Sequence, residues 1–466
     1  MHCRLARFLL LSFLAASVSV ASGDWKADIG YTQLLAELGA ATPTGANVTA
    51  SIVEASVNQL STDYYAVDTT NSQFAGKTIT FKSGTWATSG HATNVGSYLF
   101  GNTSSLAAGI IEVDNWEANN WIFTGFLNTG SSLEPAVETR DVQNHSWIGN
   151  MTTTAGDIDV IRRFDYTIER DNYVAVVGMN NNFSTTVPSL LGHSYNAISV
   201  GRSDGSHSAG FTRFDGVGRV APDIVAPASA TSYATPMVGS AAALLLDAAA
   251  GNSAYANASN SITVKALLMA GATKDEFPAW DRTPTRPLDE VYGAGELNVY
   301  RSYQTLVAGE QDASLTSLVG LTGWDYGTTT GNDLLWFFEV GSGLVLDELS
   351  AVLTWNRVIT DGITGAGWGD PQSYLANLDL ELWSASGFTL DTQLDYSASE
   401  VDNVEHIYMQ NLAAGRYAFL LPGVGAGTDF ALAWYGGATS PIPEPSTVLL
   451  LFVGLGAILT LRRRRS

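Results

Sequence analysis

The stretch Ala230-Thr-Ser-Tyr-Ala-Thr-Pro236, continued by Met-Val-Gly-Ser-Ala-Ala-Ala-Leu-Leu-Leu246, decides how the chain is read. It sets Ser232 at the mouth of an Ala-rich apolar helix with a proline in its first turn, so the hydroxyl lies at the positive end of the helix. The small residues let such a helix run through a tightly packed core. The pattern predicts a helix from about Ser232 to Ala250, with Gly251 as its stop. Around it, from about Gly45 to Ala308, short β-branched runs alternate with helical stretches, which predicts a mostly parallel α/β sheet. Buried strands are expected at 48–53, 141–147, 173–177 and 197–200, with further helices after His91, at 158–169 and at 262–270.

Composition bounds the rest. The 466 residues, 45% hydrophobic and 15% charged, suffice for one large core and a second smaller domain, and are too apolar for a disordered chain. The 23 basic residues face 45 acidic ones, a formal charge of −22, and Arg4, Arg7 and Arg462 to Arg465 all lie in terminal segments. So acidic a body repels phosphate backbones and anionic membranes, and nucleic acid is not expected as a partner. The one cysteine, Cys3, falls inside the N-terminal apolar stretch, which excludes disulfides, thiolate metal sites and a cysteine nucleophile from the mature protein.

Both ends read as addresses. Residues 1–23 have the form of a secretory signal peptide: Arg4 and Arg7, an apolar core from Phe8 to Ala16, and small residues at Ser19, Ala21, Ser22 and Gly23. The other end carries Pro441-Ile-Pro-Glu-Pro445, an apolar run from Thr447 to Leu461, and four arginines. A run of that length makes a helix of about 22 Å, short of the roughly 30 Å hydrocarbon core, so a membrane attachment through it is expected to be at least transient. The three parts in this order resemble the PEP-CTERM sorting signal. That resemblance implies export by a Gram-negative bacterium, recognition by an exosortase-type enzyme, removal of the tail, and a final place on the surface or in the extracellular matrix.

Several segments carry chemistry. A serine hydroxyl needs a base to attack near neutral pH, and the base needs a group to orient it. With Ser232 in Ala-Thr-Ser-Tyr-Ala-Thr-Pro, the chain also has Gly90-His-Ala-Thr-Asn-Val95, Ala50-Ser-Ile-Val-Glu54, Tyr173-Val-Ala-Val-Val-Gly-Met-Asn180, Asp141-Val-Gln-Asn-His-Ser-Trp-Ile-Gly149, Ala221-Pro-Asp-Ile-Val-Ala-Pro227 and Tyr292-Gly-Ala-Gly-Glu-Leu-Asn298. In this order, over about 260 residues, they resemble the motifs of the subtilisin-like serine proteases, the subtilases. The resemblance implies Ser232 as nucleophile, His91 as base, Glu54 as the orienting acid and Asn180 as oxyanion donor. It also implies that Ser146, Trp147 and Gly149 line the substrate cleft. Asp68 is the alternative acid, and Asn181 takes the oxyanion role if its loop shifts by one. His145, His193, His207 and His406 are read as surface or structural. The chain departs from the family pattern with Glu54 in place of an aspartate, Ala230 in place of a glycine, and Ala92, Asn94 and Met179 beside the motif residues. About 22 residues separate the signal from Gly45, too few for the chaperone-like propeptide common in the family.

After about Gln311 helical periodicity gives way to alternating strands, at 351–355, 378–383, 417–421 and 430–434. This part resembles jelly-roll-like domains appended to some secreted subtilases, which implies stabilisation or surface attachment. The fold class expected is therefore α/β, a subtilisin-like mostly parallel sheet flanked by helices, plus a C-terminal all-β jelly-roll-like sandwich. The domains are a signal peptide (1–23), a short N-terminal segment (24–44), a catalytic domain (45–308), a β-sandwich (311–436), a linker with the PEP motif (437–445) and a sorting tail (446–466). No cofactor is expected, and structural Ca²⁺ is left open by Asp/Asn-rich turns that have no defined ligand spacing. The function expected is an exported serine endopeptidase acting on polypeptides, basic or neutral ones if the acidic body steers them. The alternative is a non-catalytic envelope or matrix protein of the same fold.

Overall fold

Short runs of β-branched residues with no polar face need cover on both sides, and parallel strands between helices provide it. A computed structural model describes residues 24–59, 62–360, 367–437 and 439–441. The expected signal peptide and the apolar tail lie outside these residues. Seven strands form the first sheet: β1 (Ala50–Glu54), β2 (Thr78–Phe81), β3 (Glu112–Glu117), β4 (Val142–His145), β5 (Val174–Gly178), β6 (Ile198–Arg202) and β7 (Ile224–Ala226). They lie in the order β7-β6-β5-β4-β1-β3-β2, and every pair is parallel. Strands β1, β4 and β5 are buried along their whole length.

Helices α1 (Gly90–Phe100), α2 (Thr154–Asp171), α3 (Thr231–Ala250) and α4 (Ser261–Ala270) flank the sheet. Helix α3 is long and apolar enough to span a membrane, but it is a core helix, buried inside the protein. Its fully buried Val238 and Leu244 are worth about 1.5–3 kcal/mol each. Two glycines let it approach its neighbours. A Cβ on Gly239 would lie 2.8 Å from Leu99 Cδ1 of α1, and one on Gly178 would lie 2.9 Å from Thr235 Oγ1. Pro236 is the sixth residue of α3, which starts at Thr231, and so lies in its second turn rather than in the first as expected. The N-terminal segment joins the same core through Ile29 and Leu34, and Val299 N donates to Ile29 O at 2.8 Å.

The C-terminal strands are β8 (Gly323–Thr328), β9 (Leu334–Trp355), β10 (Leu380–Ser386), β11 (Thr389–Ser397), β12 (Val404–Leu421) and β13 (Asp429–Gly436). They run antiparallel in the order β8-β13-β9-β12-β10-β11. The β9/β12 ribbon serves both halves of this module. One half is extended by β13 and β8, the other by β10 and β11, and the register breaks between Val340 and Val345. Trp336 and Phe338 from one half and Leu353, Trp355 and Trp434 from the other meet in a single core. The all-β module is therefore present, and the short strands expected at 351–355 and 417–421 are the ends of much longer ones.

The module is not loosely appended. All ten residues of α4 are buried, and Thr354 Oγ1 of β9 donates to Ile262 O at 2.9 Å. Arg357, just past β9, donates to Asp165 Oδ2 on α2 at 2.5 Å and to Asp215 Oδ2 at 2.7 Å, with all three side chains buried. Removing one partner of such a group leaves uncompensated buried charge, which costs about 3–5 kcal/mol. Arg357→Ala is therefore expected to lower unfolding free energy in urea titration by about 3 kcal/mol or more. Arg416→Ala, which breaks an exposed bridge to Glu339, should change it by less than about 1 kcal/mol.

Candidate active site

In a parallel sheet the crevice beyond the carboxyl ends of the strands, where strand order reverses, is the natural place for a site. Here β1 lies between β4 and β3, and Glu54 is the last residue of β1. Ser146 follows the end of β4, and Asn180 lies two residues past the end of β5. His91 is the second residue of α1, and Ser232 the second of α3.

Glu54 Oε2 bonds His91 Nδ1 at 2.7 Å. The glutamate is 1% exposed, while the imidazole keeps 44% of its side-chain surface open. Glu54 Oε1 is buried and accepts no hydrogen bond from the described residues. Burial pushes the Glu54 carboxyl up, more than the His91 contact pulls it down. The same contact raises His91, against its own partial burial. The Tyr233 ring lies 6.4 Å from the His91 ring, and Tyr98 lies 5.4 Å behind Tyr233. Sequence reasoning missed Tyr233 as a wall of the site, although it stands next to Ser232 in the quoted motif.

The mouth of α3 is held from outside the helix. Ala230, its N-cap, has φ −152° and ψ 150°, ordinary extended backbone that an alanine adopts without strain. It has no capping oxygen, and Asn181 supplies one: its Oδ1 accepts from Thr231 N at 2.7 Å. That occupies Asn181 as a tether. Pro236 has no N–H for the carbonyl four residues back, which belongs to Ser232, and Ser146 Oγ donates to that carbonyl at 3.0 Å. Ser146, Trp147, Asn180 and Ser232 line a common cleft of about 120 Å³, and Gly149 belongs to the hollow beside it. Asn180 Oδ1 accepts from Asn182 N at 3.1 Å, which leaves its Nδ2 without a partner among the described residues.

The structure thus joins Glu54 to His91, and Ser232 to Asn180 and Ser146. It draws no hydrogen bond between His91 and Ser232. Asp68 does not reach the histidine, since its carboxylate is taken by Thr70 N and Oγ1 at 3.0 and 2.7 Å. His145, His193, His207 and His406 are all buried and none of these four is at the surface. Desolvation lowers each of them, His145 to about 3 and His193 to about 4. Among the described residues no group of three or more His, Cys, Asp or Glu is placed to hold a metal ion.

Residues 441–465 match the model of the PEP-CTERM protein-sorting motif. The chain ends in a sorting signal. That signal marks it for export and envelope-associated sorting in a Gram-negative bacterium. No curated protein sequence matches the chain. In fold it is similar to subtilisin-like proteases at low identity. A mutant of the protease domain of PatA is 18% identical, over 57% of this chain and 97% of that one, with a TM-score of 0.38. A protease from Pseudoalteromonas arctica is 14% identical, over 57% and 91%, at 0.36. Fervidolysin from Fervidobacterium pennivorans, a keratinolytic enzyme related to subtilisin, is 13% identical, over 88% and 78%, at 0.38. None of these bears on the chemistry of this chain, which rests on its own residues.

Because the Glu54 contact raises His91, the stabilisation from this pair is complete below the unfolded value near 6.5 and is lost as pH climbs through the folded value. NMR titration of the imidazole is expected to place His91 above 6.5 in the native protein. In Glu54→Gln, with only desolvation left to act, it should fall below 6.5.

Proposed function

We propose that the protein is an exported serine endopeptidase that cleaves peptide bonds through Ser232, His91 and Glu54. The observation that carries this reading is the 2.7 Å contact from a buried carboxylate to Nδ1 of His91, the one described histidine whose pKa is raised. A carboxylate on Nδ1 keeps the proton there and turns the Nε2 lone pair outward, the tautomer a general base needs. As Ser232 Oγ attacks the peptide carbonyl, His91 Nε2 takes its proton, and Glu54 stabilises the resulting imidazolium. The oxyanion is met by Asn180 Nδ2 and by the Ser232 N–H, which as a helix-start amide has no intrahelical acceptor. His91 then returns the proton to the leaving amine, and water repeats the sequence in reverse to release the acyl group.

The longer Glu54 side chain serves in place of an aspartate because only its carboxylate position matters, and Ser-His-Glu arrangements recur in unrelated hydrolases. His91 and Ser232 must close on each other when substrate fills the cleft, as catalytic contacts often do. The open contact between them favours the second reading, a non-catalytic envelope or matrix component of the same fold.

A fluorophosphonate probe separates the two. The proposal predicts labelling of the folded protein that vanishes in Ser232→Ala. A folded protein that does not label is the non-catalytic one. Two kinetic results should follow labelling. Asn180→Ala should lower kcat about 100-fold to 1000-fold with KM little changed. The acid limb of the pH–kcat/KM profile should lie above 6.5, because His91 acts only when neutral.

A further inference from the structure

Beside the serine cleft, and sharing Ile148 and Asn180 with it, lies a hollow of about 510 Å³ whose wall includes Gly149, Thr185, Ser189 and Arg213. Arg213 is exceptional in so acidic a chain. Among the described arginines, only Arg213 and the buried Arg219 have no carboxylate within 4.0 Å. Arg213 is exposed, and its one side-chain hydrogen bond runs from Nη2 to Val187 O at 3.2 Å.

The position is built rather than incidental. The Arg213 backbone N–H donates to His193 Nε2 at 3.0 Å, and His193 Nδ1 donates to Pro188 O at 2.8 Å. The His193 ring stacks on Phe214 with centroids 4.1 Å apart and planes 8° apart. With both ring nitrogens used in this way the imidazole is neutral, so Arg213 is the cation of this wall. The acid in the lining, Asp157, is buried, and its Oδ1 accepts from Met151 N at 2.7 Å. Arg213 therefore lines the hollow with no carboxylate within 4.0 Å of its guanidinium, and Thr185 and Ser189 line the same hollow.

We propose that this hollow receives an acidic side chain of the substrate, from the residue whose carbonyl Ser232 attacks, and that Arg213 is the specificity-determining residue. The proposal rests on the reading of Ser232 as nucleophile. It runs against the preference for basic or neutral polypeptides that the acidic body suggests, because a counter-charge a few ångströms away outweighs a screened distant field.

The test uses matched fluorogenic peptides carrying Glu, Gln or Lys at that residue, on the wild type, Arg213→Ala and Arg213→Glu. A separate aliquot of each protein is labelled at Ser232 with a fluorophosphonate to show an assembled site, and the unlabelled remainder is assayed. The wild type should prefer Glu over Gln by about fivefold in kcat/KM, with the ratio shrinking at high salt. Arg213→Ala should bring the ratio to about one, and Arg213→Glu should favour Lys. Equal turnover of Glu and Gln by a wild type whose separate aliquot labels, or an unchanged ratio in Arg213→Ala, overturns this inference alone. A wild type that does not label overturns the reading beneath it and this inference with it.

Discussion

The Glu54–His91 hydrogen bond is the contact on which the functional reading depends. A carboxylate at 1% exposure is costly to keep charged, and it persists only where a partner and fixed geometry compensate it. The geometry comes from the sheet. Glu54 ends a strand hydrogen-bonded on both sides, to β3 and to β4, so its backbone has little freedom. The partner comes from the start of α1, where Ser89 caps the helix by accepting from Ala92 N at 3.3 Å. The imidazole is thus held between a rigid strand end and a capped helix, with Tyr233 beside it.

The second constraint is the helix that crosses the core. Its N-terminus arrives among buried groups with no capping side chain of its own, and its proline frees one more carbonyl. Asn181 and Ser146, each at the end of a different strand, meet those two needs. Satisfying the backbone of α3 therefore draws the ends of β4 and β5 around Ser232, and Asn180 and Trp147 come with them. The cleft follows from satisfying the backbone at the start of α3.

Legibility in the sequence followed the side chains. Strands β1 and β5 and helix α3 read clearly, because mostly apolar or small residues fill them. Strand β3 did not, since Glu112, Asp114 and Asn115 break any apolar run. Those residues are engaged instead, with Arg140 bound by Glu112 and Asp114, and Asn115 Oδ1 accepting from Val67 N. The full lengths of β9 and β12 were hidden by Gly341, Gly343 and Gly415, which interrupt the alternation where the ladder shifts register. At the site, the residue types in the motifs pointed to Glu54, His91, Ser232 and Asn180. The tethers that Ser146 and Asn181 make to the start of α3 arise from contacts between distant segments, and no local pattern encodes them.

The account stands or falls on whether the imidazole held by Glu54 reaches the serine. The most direct measurement is a crystal structure of the protein after reaction with a peptidyl phosphonate. The account predicts phosphorus bonded to Ser232 Oγ, His91 Nε2 within about 3.2 Å of Oγ, and Glu54 still on Nδ1. An adduct elsewhere, or one at Ser232 with His91 turned away from it, would contradict the account.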